Sequence, residues 1–302
     1  MKKIIKLLFS VLIIAALFSA CVKEQPVKYN LTLVQNSASD VYEHFANRQS
    51  DTDKYVYYTA DELSKYLSTD NIEKINSVTV FDTDITDETA TEIINICASK
   101  DVPVFFIMAN VSGETISSYD KAFLISTNNT YHGELLANEI KNLWKNGIVD
   151  RNGDQIFQYV VLRDEGTLQS ELDFGVSLIK NIELLGVPME ELDDVKTQSD
   201  EILSVMNAED RSECFVVLSS QLLTNLKDQY SPKGDGIEIL GITYGFENQY
   251  ADSQFMKISF INYNDMFRAR DAILQNINNK VYPFTDFAYN HIDKIVYIEP
   301  SI

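Results

Sequence analysis

Short apolar runs alternate with longer amphipathic stretches from residue 28 to near the end of the chain. The apolar runs are rich in β-branched and aromatic residues, which favours strands. They lie at 30–35, 54–59, 78–81, 102–108, 122–125, 158–162, 214–218 and 237–242. Stretches with apolar residues at helical spacing lie at 40–47, 61–74, 88–99, 131–145, 171–185, 221–227 and 265–279. This alternation predicts right-handed βαβ units and parallel sheets, and because the apolar runs are nearly continuous, we expect helices on both faces of each sheet.

The first 21 residues have the features of a secretory signal. Lysines lie at positions 2, 3 and 6, an apolar run follows at 7–18, and small residues lead to Cys21. The apolar run is shorter than the roughly 20 residues that span a bilayer, so it predicts a signal peptide at 1–20 rather than a transmembrane helix. The ending Phe-Ser-Ala-Cys resembles the bacterial lipobox, which implies acylation of Cys21 and anchoring to the extracytoplasmic face of the cell membrane. An ordinary signal with a chance cysteine is the alternative, and 21–27 is a polar tether in either case.

The composition is that of a globular α/β protein with an acidic surface. Apart from the signal, about 280 of the 302 residues remain, enough for one large or two medium domains. The formal net charge is −20, which argues against nucleic acid and anionic lipid as partners, because both repel an acidic surface. The carboxylates also fit a cation site, although a solvated acidic surface is the commoner reason for them.

The cysteines and histidines form no catalytic pattern. Cys97 and Cys214 lie in apolar runs, so we expect buried small hydrophobes rather than a disulfide or a reactive thiol. His44, His132 and His291 are far apart; we expect His132 to be a partly exposed surface residue and His291 to be structural. The chain has no Gly-rich phosphate loop, no Gly-x-Ser-x-Gly motif and no Cys/His pair. These observations argue against an enzyme.

The most specific chemical motif is a loop with oxygen-bearing side chains at alternate positions. Asp150, Asn152, Asp154 and Gln158 occupy positions 1, 3, 5 and 9, and the backbone carbonyl of Ile156 lies at position 7. This is the spacing of the first part of an EF-hand calcium loop, in which about six to eight oxygens surround the ion. The sequence therefore predicts a structural calcium site.

The same loop has a simpler interpretation. Gln155 lies at position 6, where EF-hand loops use Gly for a sharp turn, and Gly153 at position 4 does not replace it. Asp, Asn and Gly are common turn residues, so a polar turn closed by hydrogen bonds to Asx side chains would have a similar sequence.

A longer pattern surrounds this loop. It comprises VPVFF from residue 102, SYDKAF from residue 118, the helical stretch at 131–144 and DRNGDQIFQYVVL from residue 150. With these motifs at this spacing, the stretch 102–200 resembles the periplasmic galactose/glucose-binding proteins, which are type I solute-binding proteins of ABC sugar transporters. The resemblance implies an α/β fold of two Rossmann-like lobes with parallel sheets, joined by a three-stranded hinge around a ligand cleft.

The resemblance also implies a division of the chain and a further calcium ligand. The N-terminal lobe would comprise 28–126 plus 262–288, and the C-terminal lobe 127–261 plus 289–302. In this family a bidentate carboxylate comes from the start of the strand at 214–218. The simplest register places Phe215 there, which cannot be a ligand. Glu213, two residues earlier on the same strand face and about 6.6 Å away, would serve after a slip in register.

Most sugar-binding positions of the family carry other residues in this chain. The resemblance places these residues at ligand-binding positions: Asp40, Tyr42, Met108, Leu168, Ser170, Phe174, Ser199, Gln221, Thr243 and Asn262. Only Asn262 is clearly retained, while Asp40 and Tyr42 match after a two-residue shift. Charge-assisted hydrogen bonds contribute about 1.5–3 kcal/mol each, so losing three lowers affinity about a thousandfold. We therefore expect a cleft that binds a less hydroxylated ligand than galactose or glucose, or a cleft that is closed.

Together these observations predict an extracytoplasmic solute-binding lipoprotein that delivers a carbohydrate or related small molecule to an ABC permease. The alternative is a pseudo-binding lipoprotein that keeps the scaffold and the calcium loop but acts as a surface interaction or sensory component. Transport is favoured because it is the usual task of this scaffold.

Overall fold

Two β-sheets form the framework of the computed structural model, with seven strands in the first and five in the second. The structure describes residues 28–35, 44–45, 49–59, 62–82, 85–150, 152–192, 214–227, 229–232, 236–280, 290–292 and 294–298.

The first sheet is parallel apart from one short strand. Its strands are β1 (Tyr29–Gln35), β2 (Asp53–Tyr58), β3 (Ile75–Phe81), β4 (Val104–Ile107), β5 (Ala122–Thr127), β11 (Asn290–Ile292) and β12 (Ile295–Ile298). Their order in the sheet is β11-β12-β5-β4-β3-β1-β2. β11 pairs antiparallel with β12, and the other neighbours are parallel.

The second sheet is parallel throughout. Its strands are β6 (Phe157–Leu162), β7 (Met189–Glu191), β8 (Cys214–Val217), β9 (Ile239–Gly245) and β10 (Met256–Asn262). Their order is β10-β9-β8-β6-β7, so β7 and β10 are the edge strands.

Helices cover both faces of each sheet. They are α1 (Leu63–Tyr66), α2 (Thr69–Ile72), α3 (Asp87–Ser99), α4 (Gly113–Ser117), α5 (Asn129–Lys145), α6 (Gln169–Leu184), α7 (Ser220–Lys227) and α8 (Tyr263–Asn278). On the first sheet, α3 packs on one face through Ile93 and Ile94, and α8 packs on the other through Phe267 and Ile273. On the second sheet, α5 and α6 share one face and α7 covers the other. Within the described ranges, no helix has the length and apolar character needed to cross a membrane.

One apolar cluster extends across both sheets. It includes Phe105 and Ile125 from the first sheet and Val161 and Ile242 from the second. The chain passes between the sheets after β5 and again after β10. The predicted α/β fold with two helix-covered parallel sheets is therefore confirmed. The third crossing, predicted at 288–289, is not found among the described residues, because the described elements on either side of it, α8 and β11, both lie with the first sheet.

Both described cysteines are buried free thiols, as the sequence predicts. Burial raises the pKa of Cys97 to about 12. The thiol therefore stays protonated at neutral pH and acts as a small apolar side chain.

The C-terminal strand corrects the predicted division of the chain. β12 pairs in parallel with β5, with Val296 opposite Ile125. It therefore belongs to the first sheet, although the sequence placed 289–302 in the C-terminal lobe. β12 covers an edge of β5 that would otherwise be open, and Val296 and Ile298 bury their side chains in the shared core.

Among the further elements that differ from the prediction, two have a clear local reason. The single helix expected at 61–74 is two short turns, α1 and α2, because Ser68 between them leaves the helical region with ψ at 155°. β10 was not predicted as a strand. Half-buried Lys257 and buried Ser259 alternate there with apolar residues, which weakens the signal of a continuous apolar run.

Candidate functional site

Polar and aromatic side chains gather where the strands of both sheets end. Ligands of α/β proteins with parallel sheets bind at these carboxyl ends. On the first sheet, Asp82 follows β3 and Met108 follows β4. On the second, Asp164 follows β6 by two residues, Ser219 follows β8 by two, and Phe246 follows β9. We call these two sets of loops the carboxyl edges.

On the second sheet, one buried carboxylate holds two helix N-termini. Glu171, in the first turn of α6, is 2% exposed. Its Oε2 accepts a hydrogen bond from the backbone N–H of Leu168, and its Oε1 accepts one from the N–H of Ser220 at the start of α7, both at 2.9 Å. Burial raises the pKa of Glu171, although these two hydrogen bonds act in the opposite direction. These two N–H groups are thus already used and cannot bind an anionic ligand.

Asp164 organises the loop beside Glu171. Its Oδ2 accepts a hydrogen bond from Ser219 Oγ at 2.9 Å, and its Oδ1 accepts one from Thr167 Oγ1 at 3.1 Å. Ser219 Oγ in turn accepts from the N–H of Leu222 at 3.1 Å and so caps α7. Asp164 is only half-buried, so its carboxylate can be reached from the surface.

Asn129 connects the start of α5 to the same edge. Its Nδ2 donates to the backbone carbonyl of Ser170 and to Tyr244 Oη, both at 2.8 Å. Burial raises the pKa of Tyr244, and the charge of Glu171 adds to this effect. The Tyr244 hydroxyl therefore stays neutral, with the side chains of Asn129 and Ser170 as its hydrogen-bond partners.

The first sheet has a smaller polar group at its carboxyl edge. The hydroxyl of Tyr58, at the end of β2, donates to the buried carboxylate of Asp82. Burial raises the pKa of Tyr58, and the hydrogen bond and charge of Asp82 raise it further. Tyr58 therefore remains a hydrogen-bond donor to Asp82 across the whole range in which the protein would work.

Aromatic rings connect the two carboxyl edges. Phe246, from the second sheet, stacks on His44 with ring centroids 3.5 Å apart and planes inclined by 5°. The same ring meets Phe45 and Tyr263 edge-to-face at 5.0 Å and 5.3 Å. Asn264 Nδ2 also donates to the backbone carbonyl of Phe246 at 3.2 Å. Phe45 packs on Tyr55 of β2, so Phe246 joins the loop after β9 to the first lobe.

The structure brings some of the predicted ligand residues to these edges. Met108 lies half-buried at the end of β4 with φ at +58°, and half-buried Leu168 and Ser170 lie at the start of α6. Asn262 caps α8, because its Oδ1 accepts from the N–H of Asn264 at 2.9 Å.

Other predicted ligand residues lie elsewhere. Phe174 is 0% exposed in the core between α5 and the second sheet, so it is a packing residue rather than a ligand contact. Gln221 is exposed on α7, where its Nε2 donates to Asn225 at 3.3 Å, and Thr243 is buried within β9. Asp40, Tyr42, Ser199 and Cys21 lie outside the described residues.

The sequence did not identify Glu171, Asp164, His44 or Phe246 as site residues. Asp164 carries a usable signal, because it comes almost directly after an apolar run that was predicted to be a strand. His44 and Phe246 carry none, since nothing local in the sequence indicates that these two rings meet.

The loop at 150–158 forms a turn closed by its own side chains. Asp150 Oδ2 accepts from the N–H of Gln155 at 3.1 Å, Asn152 Oδ1 from that of Asp154 at 2.9 Å, and Asp154 Oδ1 from that of Ile156 at 2.8 Å. Gln155 has φ at +63°, so position 6 adopts the left-handed conformation that Gly usually supplies. These are the Asx hydrogen bonds that the polar-turn interpretation predicts.

Oxygen atoms of this loop also converge in a way that fits a cation. Asn152 Nδ2 donates to Asp154 Oδ2 at 2.9 Å and to Gln158 Oε1 at 3.0 Å, so these two oxygens face one electropositive group. Asp150 Oδ1 is buried without a hydrogen-bond partner. In the described part of the chain, no group of three or more His, Cys, Asp or Glu side chains could hold a metal, so this loop would depend on amide and backbone oxygens too. Glu213 lies outside that part.

His132 is a buried contact between the sheets, and the prediction of a partly exposed surface residue is wrong. It is 0% exposed, because α5 starts where the chain crosses between the sheets. Its Nε2 lies 3.3 Å from the carbonyl oxygen of Ile298 in β12, and its Nδ1 lies 3.4 Å from Ser259 Oγ in β10. Burial lowers the pKa of His132 to about 4. The ring is therefore neutral at pH 7, with the proton on Nε2, since a carbonyl can only accept. The side chain of His291 lies outside the described residues.

At the level of sequence, no family model and no curated protein matches the chain significantly. Solved structures do match its fold. An ABC transporter periplasmic solute-binding protein from Actinobacillus succinogenes with bound D-allose is 10% identical, with a TM-score of 0.54 over 91% of this chain and 96% of that one. AraP, an arabinose-binding protein from Geobacillus stearothermophilus, is 13% identical, with a TM-score of 0.54 over 89% and 95%. A LacI family transcription regulator from Clostridium acetobutylicum is 15% identical, with a TM-score of 0.55 over 86% and 96%.

At these identities the likeness shows the fold alone: the chain has the type I periplasmic-binding-protein fold, which sugar-binding proteins and LacI regulators share.

Proposed function

We propose that the chain is an extracytoplasmic solute-binding lipoprotein, which binds a carbohydrate or related small molecule between its lobes and delivers it to an ABC importer. The observation that carries this proposal is the pair of carboxyl edges, which carry the carboxylates of Asp82 and Asp164 together with aromatic rings such as Phe246. Two solved proteins with this fold bind D-allose and arabinose, which supports a carbohydrate as the ligand.

The chemistry of the carboxyl edges suits a neutral ligand that donates hydrogen bonds. The half-buried carboxylate of Asp164 can accept from hydroxyl groups of such a ligand. Rings such as Phe246 and Tyr263 offer flat apolar faces to the C–H side of a sugar ring. Glu171 already uses the N–H groups of two helix ends, so few donors are left for an anionic sugar. Such a ligand would also be repelled by the carboxylates of Asp82 and Asp164.

Export to the cell surface is the part of the proposal that the N-terminal sequence supports. The lipobox-like ending favours acylation of Cys21 and a position on the outer face of the cell membrane. LacI regulators share the fold, but a net charge of −20 disfavours the binding of DNA.

A structural calcium ion in the loop at 150–158 is the second part of the proposal. Asp150, Asn152, Asp154 and Gln158 would hold the ion through side-chain oxygens, and Ile156 through its backbone carbonyl. The unpartnered buried Oδ1 of Asp150 supports this donor set. Bound calcium supplies a fixed positive charge that offsets the repulsion between the carboxylates. The loop residues would thereby fix the start of β6.

One observation favours the alternative of a pseudo-binding protein. The stack of Phe246 on His44 joins the carboxyl edges directly, and a separation of 3.5 Å between the ring centroids leaves no room for a ligand between these two rings. A cleft that the protein itself closes in this way would serve interaction or sensing rather than transport.

A thermal-shift screen separates these two functions. The panel contains neutral pentoses, hexoses, polyols and nucleosides, with glucuronate and glucose 6-phosphate as anionic counterparts. Transport predicts a saturable rise in Tm that grows with the concentration of a neutral ligand. Asp164→Asn should weaken binding of that ligand about tenfold, because a neutral acceptor replaces a charged one. Each shift is measured against the ligand-free Tm of the same variant, since Asp164 also holds Ser219 and Thr167. An unchanged Tm across the whole panel would favour the pseudo-binding protein.

A further inference from the structure

Glu190 lies directly beside the loop at 150–158, although it belongs to a different strand. β7 pairs in parallel with β6, and the register places Glu190 opposite Gln158. Gln158 Nε2 donates a hydrogen bond to Glu190 Oε2 at 2.8 Å. The other end of the same amide faces the loop, where Gln158 Oε1 accepts from Asn152 Nδ2 at 3.0 Å.

This contact decides which end of the Gln158 amide faces the loop. A side-chain amide has an oxygen at one end and a donor nitrogen at the other, and rotation by half a turn exchanges them. An ionised carboxylate only accepts, so Glu190 favours the orientation in which Nε2 points towards it and Oε1 points into the loop. The opposite orientation would set two acceptors against each other and would direct a nitrogen at the loop. Calcium takes oxygen ligands, so only the first orientation contributes to a calcium site.

We infer that Glu190 is a positioning residue of the calcium loop, which holds the Gln158 oxygen towards the ion. The inference rests on the calcium part of the proposed function, and it concerns a residue outside the EF-hand-like spacing. Glu190 acts through Gln158 and is not itself a ligand.

The neighbouring residue provides a matched control. Glu191 lies on the same short strand, is exposed like Glu190 and carries the same charge, but its register partner is Tyr159. Successive residues of a strand point to opposite faces, so Glu191 is directed away from Gln158. A general effect of negative charge should be similar for both residues, whereas a positioning effect belongs to Glu190 alone.

The experiment measures terbium luminescence sensitised by Trp144, which lies near the end of α5, and calcium competition against it. Glu190→Ala should weaken binding of both ions about 10- to 100-fold, the usual effect of removing a group that orients a metal ligand. Glu191→Gln should bind within twofold of the unmodified protein. Thermal unfolding in chelator should be the same for both variants, which separates loss of the ion from loss of the fold.

A second pair of variants tests positioning directly. In Gln158→Glu, both ends of the side chain are oxygens, so no orientation needs to be selected. Adding Glu190→Ala to the Gln158→Glu variant should therefore not weaken terbium binding, whereas the same substitution should weaken it when Gln158 is present. Two results would overturn the inference while leaving the calcium site in place. One is an equal loss of terbium affinity in Glu190→Ala and in Glu191→Gln. The other is a loss from Glu190→Ala that is the same with Gln158 as in the Gln158→Glu variant. If the unmodified protein gives no terbium signal that calcium displaces, the calcium proposal itself fails, and the inference fails with it.

Discussion

The carboxyl edges of the two sheets lie on similar scaffolds but are held together differently. On the second sheet, Glu171 and Asp164 bind backbone N–H and hydroxyl groups from the loops after β6 and β8, so directional hydrogen bonds fix this edge. Between the two edges, contact is made mainly by rings, above all by Phe246 on His44, with a hydrogen bond from Asn264 to the Phe246 carbonyl. Stacked rings can separate without leaving an unpaired charge, whereas breaking the hydrogen bonds of Glu171 would leave a buried carboxylate without partners. The comparison indicates a preformed second edge and a junction between the lobes that can open.

Removing the Glu171 carboxylate should have the largest effect on stability. Glu171→Ala leaves the N–H groups of Leu168 and Ser220 without their charged acceptor. Two charge-assisted hydrogen bonds contribute about 3–6 kcal/mol together. We expect the free energy of unfolding, measured with urea, to fall by about that amount. Exposed Glu165 nearby is the control, and Glu165→Ala should change it by less than about 0.5 kcal/mol. Equal effects of the two variants would show that the second edge is not fixed by Glu171.

Acid should weaken the contact that His132 makes between the sheets. Unfolded histidine has a pKa of about 6.5, whereas that of His132 in the fold is about 4. Between these values the unfolded chain binds a proton that the folded chain does not, so the stability due to neutral His132 is complete above about pH 6.5 and falls as the pH decreases towards 4. The loss reaches at most about 3 kcal/mol.

Urea unfolding of the unmodified protein and of His132→Gln between pH 7 and pH 4.5 measures this loss. Carboxylates titrate in both proteins, so the difference between the two curves reports His132. We expect that difference to shrink as the pH falls. Parallel curves would mean that His132 is protonated in the fold or lies near the surface.

Shortening Phe246 tests whether the junction between the lobes can open. Phe246 is half-buried, so Phe246→Ala should cost about 1–2 kcal/mol, less than a fully buried ring. The radius of gyration from solution scattering should rise, because the ring joins the two edges. Phe255 is also half-buried but packs within the second lobe. Phe255→Ala should therefore lower stability without changing the radius of gyration. An unchanged radius in both variants would show that the lobes are held elsewhere.

Local sequence patterns predicted the elements that lie in the middle of a sheet. The run at 102–108 became β4, whose four residues are all buried, because a central strand needs apolar side chains on both faces. β10 lies at an edge, where Ser259 faces His132 and Lys257 reaches Glu139 at 3.3 Å, so its polar residues weakened the pattern. The position of β12 depends on pairing with β5, which no local pattern specifies.

The same distinction applies to the candidate sites. The oxygens of the loop at 150–158 lie within one short segment, so their spacing was visible in the sequence. The carboxyl edges are assembled from loops after several strands, and Glu171 holds Ser220 through an arrangement that only the fold creates. The burial of His132 was missed for the same reason, because both of its partners come from distant strands.

The smallest expected effect is a coupling energy on the first sheet, whose carboxyl edge carries the hydrogen-bonded pair of Tyr58 and Asp82. Tyr58→Phe removes the hydroxyl that donates to Asp82 but keeps the buried ring. One hydrogen bond to a carboxylate contributes about 1.5–3 kcal/mol, about half of the loss expected for Glu171→Ala, which removes two. A double-mutant cycle with Asp82→Asn isolates the pair, and we expect a coupling energy of about 0.5–1 kcal/mol in urea unfolding. A coupling as large as the cost of removing Glu171 would contradict the comparison, since the first edge would then also be fixed by directional bonds. In that case the opening of the cleft would need a flexible segment away from both edges.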